Sequence, residues 1–442
     1  MLRLIAALFS MLGQRRIVRE GLWVLTGLGG AALAQLAGLR IFTEFALPRD
    51  FGEANLLLLT LMLCRSVFVG PFSNAQMRHH PDYAHAGRAN WYTHEIGRLI
   101  WYSSGICALA VAIIFFVWSL SQTGQPRWGI LGGMIAVIAL ETPKTLLINR
   151  LNAERRQARL ALWTIVEALG ITLCSAVLLY RWRNAEAFLA GQAAGTSLAL
   201  LANQFLWRPT WAPDTTLPQP GERKNVIRRA LHYGLPFAPV SIFGWISGQS
   251  DRFLLKGLTG DAEVGLYSAP FALANRPLTT TSAFLSLLLR PVLFTAESEN
   301  NGRAARRIFL IWFVCALSTG AIVVLAFFLA GPWAARHFLG ENYRQDAGEV
   351  MFLVALGFAL VPATQAIETR LLSFGRTKSL ILPQIVGTVS SLAATLYLVP
   401  RIGYLGVAKA RVIGTALQFV VTASVLLVST PKITPAPDAP IV

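Results

Sequence analysis

Charge is what this sequence has least of. Only 14% of its 442 residues are Asp, Glu, Lys or Arg, against about one quarter in a soluble globular chain. Acidic residues are scarcer still, 22 against 39 basic ones, a formal net charge of +17. Cysteine is rare as well. Cys64, Cys107, Cys174 and Cys315 all lie in apolar runs without CxxC spacing, so neither a disulfide framework nor a zinc site is expected. No Walker A, HExxH or GxSxG pattern occurs, and with them go the common nucleotide, zinc-peptidase and serine-hydrolase chemistries. Gly27-Leu28-Gly29-Gly30-Ala31-Ala32 matches a dinucleotide fingerprint in its letters only. It lies inside an apolar run with no preceding strand, and is rejected.

What the chain does have is hydrocarbon: 54% apolar residues and a mean hydropathy of +0.53. The apolar residues come in runs of about 20, enough to cross a bilayer core as helix. The sequence predicts an all-α integral membrane protein with about twelve transmembrane helices in two six-helix bundles. The first six spans fall near 21–46, 53–76, 98–120, 128–149, 159–180 and 185–207. The second six fall near 230–255, 264–288, 308–330, 347–370, 379–400 and 404–428. The domains expected are an N-terminal interfacial segment 1–20, a bundle 21–207, a proline-rich cytoplasmic linker 208–229, a bundle 230–428 and a disordered tail 429–442. Met1 to Gly13 is apolar but is followed by Arg15, Arg16 and Arg19, not by a signal-peptide cleavage site. Trp91, Trp101, Trp182, Trp207 and Trp211 cluster at span ends, as an interfacial aromatic belt does.

Basic residues concentrate on one set of helix ends. Arg78, Arg88 and Arg98 lie there, as do Lys144, Arg150, Arg155, Arg156 and Arg159, then Arg223, Lys224, Arg228 and Arg229, and then Arg303, Arg306 and Arg307. The alternate ends hold fewer, among them Arg127, Arg181, Arg183 and Arg344. By the positive-inside rule both termini are cytoplasmic. Most of the excess charge is therefore topology, and no nucleic-acid partner is expected.

A few cations escape this rule, and they recur. Aligning Gly52 in Asp50-Phe51-Gly52-Glu53 with Gly265 in Glu263-Val264-Gly265-Leu266 brings Arg40 near Arg252, Arg65 near Arg276 and Arg78 near Arg290. Arg65 and Arg276 lie about a dozen residues from the outer ends of their spans, about 18 Å deep at 1.5 Å per residue. An arginine facing lipid at the midplane costs at least about 2.5–3.5 kcal/mol, so both should face the bundle interior or a wet cavity. Guanidinium is always charged and grips phosphate oxygens through a planar fork. Arg40, Arg65, Arg252 and Arg276, with Arg78 and Arg290, are the candidate pyrophosphate-binding groups. Glu44, Asp251, Glu141, Glu167 and Glu368 are candidates for charge pairing or for coupling to a proton or sodium gradient. Glu44 and Asp251 are the expected arginine partners, and Glu141 has Lys144 three residues on. The Asp251-Arg252 pair lies near an outer helix end, where a snorkelling pair is an equal alternative to a cavity-lining one, and Lys409 and Arg411 are placed near an outer end, snorkelling. His79 and His80, in a basic loop, are read as solvated.

Leu47-Pro-Arg-Asp-Phe-Gly52, Tyr233-Gly-Leu-Pro236, Asp251-Arg252, Glu263-Val-Gly-Leu-Tyr-Ser268, Gly375-Arg-Thr-Lys378 and Val399-Pro-Arg-Ile-Gly-Tyr-Leu-Gly-Val407 follow one another in order. Together they resemble the polysaccharide flippases of the multidrug/oligosaccharidyl-lipid/polysaccharide exporter superfamily. That resemblance implies a V-shaped two-bundle fold with a cationic cavity, in a bacterial cytoplasmic (inner) membrane. It implies a non-enzymatic flippase, working by alternating access. The cargo implied is an undecaprenyl-pyrophosphate-linked glycan for O-antigen, capsule or exopolysaccharide. Membrane lipids, a polysaccharide polymerase and a chain-length regulator are the implied partners. One departure is Lys409 with Arg411, where small residues are usual. A multidrug exporter of the same superfamily is the nearest alternative, although it would favour an acidic or apolar cavity. The lipid II flippases of the superfamily usually carry two spans more than the twelve expected here. A polymerase or glycosyltransferase would need a catalytic outer loop, for which only about 331–350 is available.

Overall fold

A computed structural model describes residues 15–120, 127–206, 211, 213–217, 221–299, 301–374 and 376–429. Residues 1–14 of the expected interfacial segment, the tail from 430 onward, and parts of the linker (208–210, 212 and 218–220) lie outside the described residues, as does Trp207. Among the described residues no strand occurs. The helices are α1 (Arg15–Phe45), α2 (Pro48–Phe68), α3 (Gly70–His85), α4 (Ala89–Leu120), α5 (Trp128–Ala153), α6 (Gln157–Trp182), α7 (Ala185–Leu206), α8 (Glu222–Gly234), α9 (Phe237–Thr259), α10 (Asp261–Ser298), α11 (Gly302–Phe338), α12 (Ala347–Ala359), α13 (Val361–Ser373), α14 (Ile381–Ile402) and α15 (Tyr404–Ser429).

Ten stretches among these are long and apolar enough to cross a membrane, with α12 and α13 forming one of them. α7 and α9, of 22 and 23 residues, bring the long helices to about the twelve expected. The protein is thus an all-α, multi-pass membrane protein. Where boundaries moved, proline moved them. The second span, expected to run to residue 76, stops at Phe68, because Gly70-Pro71 starts the polar helix α3. Val361-Pro362 likewise starts α13 afresh, since proline cannot donate to the preceding turn and suits a first turn best.

The chain folds into two compact units. One comprises residues up to Leu273 together with Ala330–Val350; the other comprises Ala274–Leu329 and Met351 onward. In the first unit Leu61, Cys64, Cys107, Val111, Phe115, Ile130, Met134, Ile138 and Leu189 make one apolar core. Cys64 and Cys107 are free thiols within it. Glycines let helices meet backbone to backbone. A Cβ on Gly52 would lie 2.0 Å from the Asp261 carbonyl oxygen, and one on Gly265 would lie 1.9 Å from that of Pro48. The two glycines aligned by the internal repeat therefore line the same crossing of α2 and α10, and any side chain there would separate the helices.

The described part of the linker is pinned rather than loose. Asp214 accepts the Asn90 and Trp91 amides at 2.9 and 2.7 Å, satisfying free donors at the start of α4. Trp211 was expected in an interfacial belt; instead its ring lies 3.7 Å beneath the Arg150 guanidinium and 4.7 Å from that of Arg156. Cation–π attraction holds it there. The histidine expectation also fails. His80 is buried, 3.9 Å from Glu154 and packed edge-on to Tyr92.

In the second unit α14 and α15 pack side by side, and Leu278, Val323 and Ala355 centre a smaller core. Arg411 does not snorkel. It is 7% exposed, with its guanidinium 5.4 Å from the Phe358 ring centre. Lys409, two residues away on the other side of the helix, is exposed.

Burial depresses the pKa of His80 below its ordinary 6.5, with Glu154 opposing the shift and Arg150 reinforcing it. The unfolded chain therefore binds the proton first as pH falls. Stability should be complete above pH 6.5 and fall as pH drops through the folded-state value. Thermal melts from pH 7.5 to 5 should show that decline in the wild type and a flatter profile in His80→Gln; parallel profiles would contradict it.

Candidate functional site

In the first unit, a chain of charges links three helices. Arg65 Nη1 lies 3.0 Å from Glu141 Oε2. Lys144 Nζ reaches the other oxygen of Glu141 at 2.6 Å and Glu167 Oε1 at 2.8 Å. The Thr196 hydroxyl donates to Glu167 at 3.3 Å, and Arg65 Nη2 donates to Thr145 Oγ1 at 3.5 Å. α2 supplies Arg65, α5 supplies Glu141 and Lys144, α6 supplies Glu167, and α7 supplies Thr196. Glu141 and Lys144 share a face because they are three residues apart on a helix. Pro143 between them removes the amide that would bond the Ala139 carbonyl, which loosens α5 at that turn.

Arg65 falls in the last turn of α2, not at mid-span, because the helix stops early. There it opens onto a cavity of about 160 Å³, lined by Leu58, Leu61, Met62, Ser104, Cys107, Val137, Ile138, Glu141, Thr142 and Gln192. Lys144 and Glu167 are well buried, whereas the Arg65 side chain keeps 45% of its surface exposed. The cluster alternates in sign and sums to zero, so each charge inside the hydrocarbon has a partner. Arg65 ends the row: Glu141 and, at longer range, Thr145 hold its guanidinium, and its exposed part faces the cavity. A planar fork so placed can accept an anion.

The structure does not bring the other candidate arginines of this unit to that cavity. Arg40 pairs with Glu44 at 2.9 Å and donates to the Leu339 carbonyl. It belongs to a clasp in which Gly340 donates to Thr43 Oγ1 at 2.8 Å and Tyr343 donates to the Ala46 carbonyl at 3.0 Å. Arg252 is 3% exposed. Its guanidinium lies 3.3 Å from Asp251, 2.7 Å from Gln249 and 4.0 Å from the Phe271 ring centre. It is a buried structural cation rather than a snorkelling one. The partner of Arg65 is Glu141, not the expected Glu44 or Asp251. Arg78 is exposed on α3.

In the second unit, Arg276 is half-buried on α10 and makes no ion pair among the described residues. Arg290 is exposed, 5.5 Å from the Phe294 ring centre. Glu368 hydrogen-bonds Gln418, whose amide donates to Gln384 at 3.1 Å. Among the described residues Glu368 faces no cation, whereas Glu44, Asp251, Glu141 and Glu167 all do.

Sequence reasoning took Lys144 only as a local partner of Glu141 and missed its bridge to Glu167. It also missed Arg127, which joins Glu53 at 2.8 Å to Glu186 at 3.2 Å. Burial there favours the neutral base, but both carboxylates outweigh it and raise the Arg127 pKa.

A family model described as polysaccharide biosynthesis protein matches residues 17–297. The chain belongs to that family. Solved structures share its fold. An inward-facing multidrug-resistance MATE transporter of the MOP superfamily superposes with a TM-score of 0.62 at 17% identity, covering 94% of this chain and 97% of that one. The lipid II flippase MurJ, in an inward closed conformation, gives 0.68 at 11% identity over 93% and 88%. A MOP-superfamily transporter from Pyrococcus furiosus, described as having a binding pocket of reversed polarity, gives 0.61 at 15% over 93% and 94%. No curated protein matches the chain. The chain is thus a member of a polysaccharide biosynthesis family with a fold it shares with MATE transporters and with MurJ.

Lys144 is the keystone of the charged row, since its loss leaves Glu167 without a cation and Glu141 with Arg65 alone. Lys144→Met should destabilise the protein by about 3–5 kcal/mol, as removal of one partner from a buried pair does. Adding Glu141→Gln and Glu167→Gln should restore most of the lost melting temperature in detergent. A triple variant no more stable than the single one would show that the row is not held by charge.

Proposed function

We propose that this protein flips an undecaprenyl-pyrophosphate-linked oligosaccharide across a bacterial inner membrane, by alternating access and without catalysing a reaction. The product would be O-antigen, capsule or exopolysaccharide. The observation that carries the reading is the match to a polysaccharide biosynthesis family over residues 17–297, joined to a half-exposed arginine at the mouth of a cavity. The pyrophosphate would take the exposed part of Arg65 while the lipid tail stays in the bilayer. The basic helix ends favour cytoplasmic termini. A polymerase and a chain-length regulator would receive the cargo outside.

Drug export is the second reading. Glu141 and Glu167 favour it, because carboxylates suit a cationic drug, and the fold is shared with a multidrug-resistance transporter. In this chain, however, Arg65 and Lys144 together already neutralise both. Deletion of the gene separates the readings. Complete, unpolymerised lipid-linked repeat units should accumulate in the inner leaflet, with drug sensitivity unchanged. Arg65→Glu, expressed at wild-type levels, should fail to clear them and Arg65→Lys should clear them in part. Full rescue by Arg65→Glu, or drug hypersensitivity without accumulation, would refute the proposal.

Glu368 is the carboxylate best suited to couple transport to a proton or sodium gradient, having the Gln418 amide, and among the described residues no cation, as its partner. Glu368→Gln should abolish stimulation by an imposed gradient in proteoliposomes while leaving substrate binding intact. Undiminished stimulation would move the role elsewhere.

A further inference from the structure

Between α3 and α8 lies a cleft that the Arg65 cavity does not account for. α8 is amphipathic. Val226, Ala230 and Gly234 are buried at four-residue spacing, the first two in a core with Val69, Ala75, Tyr83, Tyr92, Ile96 and Ile100. The opposite face carries Arg223, Lys224, Arg228, Arg229 and His232, all exposed. Where that face meets α3, a cavity of about 580 Å³ is lined by His79, Asn225, Arg228, Arg229, His232 and Tyr233. A second, of about 310 Å³, adjoins it and shares Asn225 and Arg229.

No carboxylate lines the larger cavity. Those of the smaller one are engaged: Glu222 pairs with Arg88, and Asp82 lies 3.6 Å from His79. Arg228 and Arg229 make no ion pair among the described residues. Arg229 hydrogen-bonds the Tyr83 hydroxyl, and the His79 ring is held edge-on against Tyr233 at 5.5 Å. Adjacent, uncompensated arginines repel each other, and a concave wall concentrates their field. Two guanidinium forks with an amide, a phenol and two imidazoles form a donor set for phosphate oxygens. The volume falls within the range of small-molecule sites, and a basic helix beside a membrane span is where lipid phosphates lie.

We propose that this cleft binds the diphosphate headgroup of a polyisoprenyl lipid and captures the substrate before it reaches Arg65. The capture role rests on the flippase reading; the binding site does not. The apolar core beneath α8 includes Val69, which also lines the Arg65 cavity.

The test is binding of undecaprenyl diphosphate to the full-length protein in phosphatidylcholine nanodiscs. Arg228→Gln with Arg229→Gln should weaken binding at least tenfold with the melting temperature unchanged, both side chains being exposed. Arg306→Gln with Arg307→Gln removes the same charge from another exposed site and should leave binding intact. Nanodiscs containing phosphatidylglycerol should bind weakly and without dependence on Arg228 and Arg229, and inorganic pyrophosphate in solution should bind more weakly than the lipid but with the same arginine dependence. Unchanged affinity in the first variant, equal loss in the second, the same arginine dependence for phosphatidylglycerol, or free pyrophosphate binding as tightly as the lipid would overturn the proposal. Binding is read without transport, so failure of the flippase reading would show instead in the deletion strain.

Discussion

A charge inside hydrocarbon must have a partner, and the first unit is organised around that requirement. Between membrane helices the hydrophobic effect distinguishes little, since lipid tails are as apolar as leucine. Small residues permit close approach, as Gly52 and Gly265 do, but they do not by themselves fix which turn faces which. The row Arg65, Glu141, Lys144, Glu167 does, because each member has its counter-charge at one height only. It couples α2, α5 and α6, and Thr196 extends it to α7.

The same row gives the cavity its chemistry. Its interior members are saturated, so they are poor ligands. Arg65 is terminal and opens to the cavity. On the proposed function, an anion there would compete with Glu141 for one guanidinium, leave Glu141 to Lys144, and so alter the hold of α2 on α5 beside Pro143, where α5 has one backbone hydrogen bond fewer.

The fold class was legible because a membrane span announces itself by composition, and the long helices lie close to the expected ranges. Helix ends were less legible where proline restarts a helix within one apolar run, as at Pro71 and Pro362. Of the site, Arg65 could be found because an arginine in an apolar run is costly wherever it sits. Its partner could not: Glu141 is 76 positions away, and the pairing depends on how α2 lies on α5. The same blindness left Arg252 open to a snorkelling reading and made Arg411 look like a snorkelling cation, when aromatic faces at Phe271 and Phe358 offer them buried seats. Hydropathy gives the depth of a residue but carries no information about its neighbours.

The internal repeat makes the two halves look electrostatically alike, and they are not. The alignment pairs Arg65 with Arg276, yet Arg65 is bound into a neutral row while Arg276 makes no ion pair among the described residues. Carboxylates follow the same division. Glu141 and Glu167 are fixed by Lys144, whereas Glu368 has only the Gln418 amide, itself tied to Gln384. A carboxylate that already holds a lysine gains little from a proton or a sodium ion and loses the lysine contact in exchange. One held by amides is still short of a positive charge in a medium that penalises the lack.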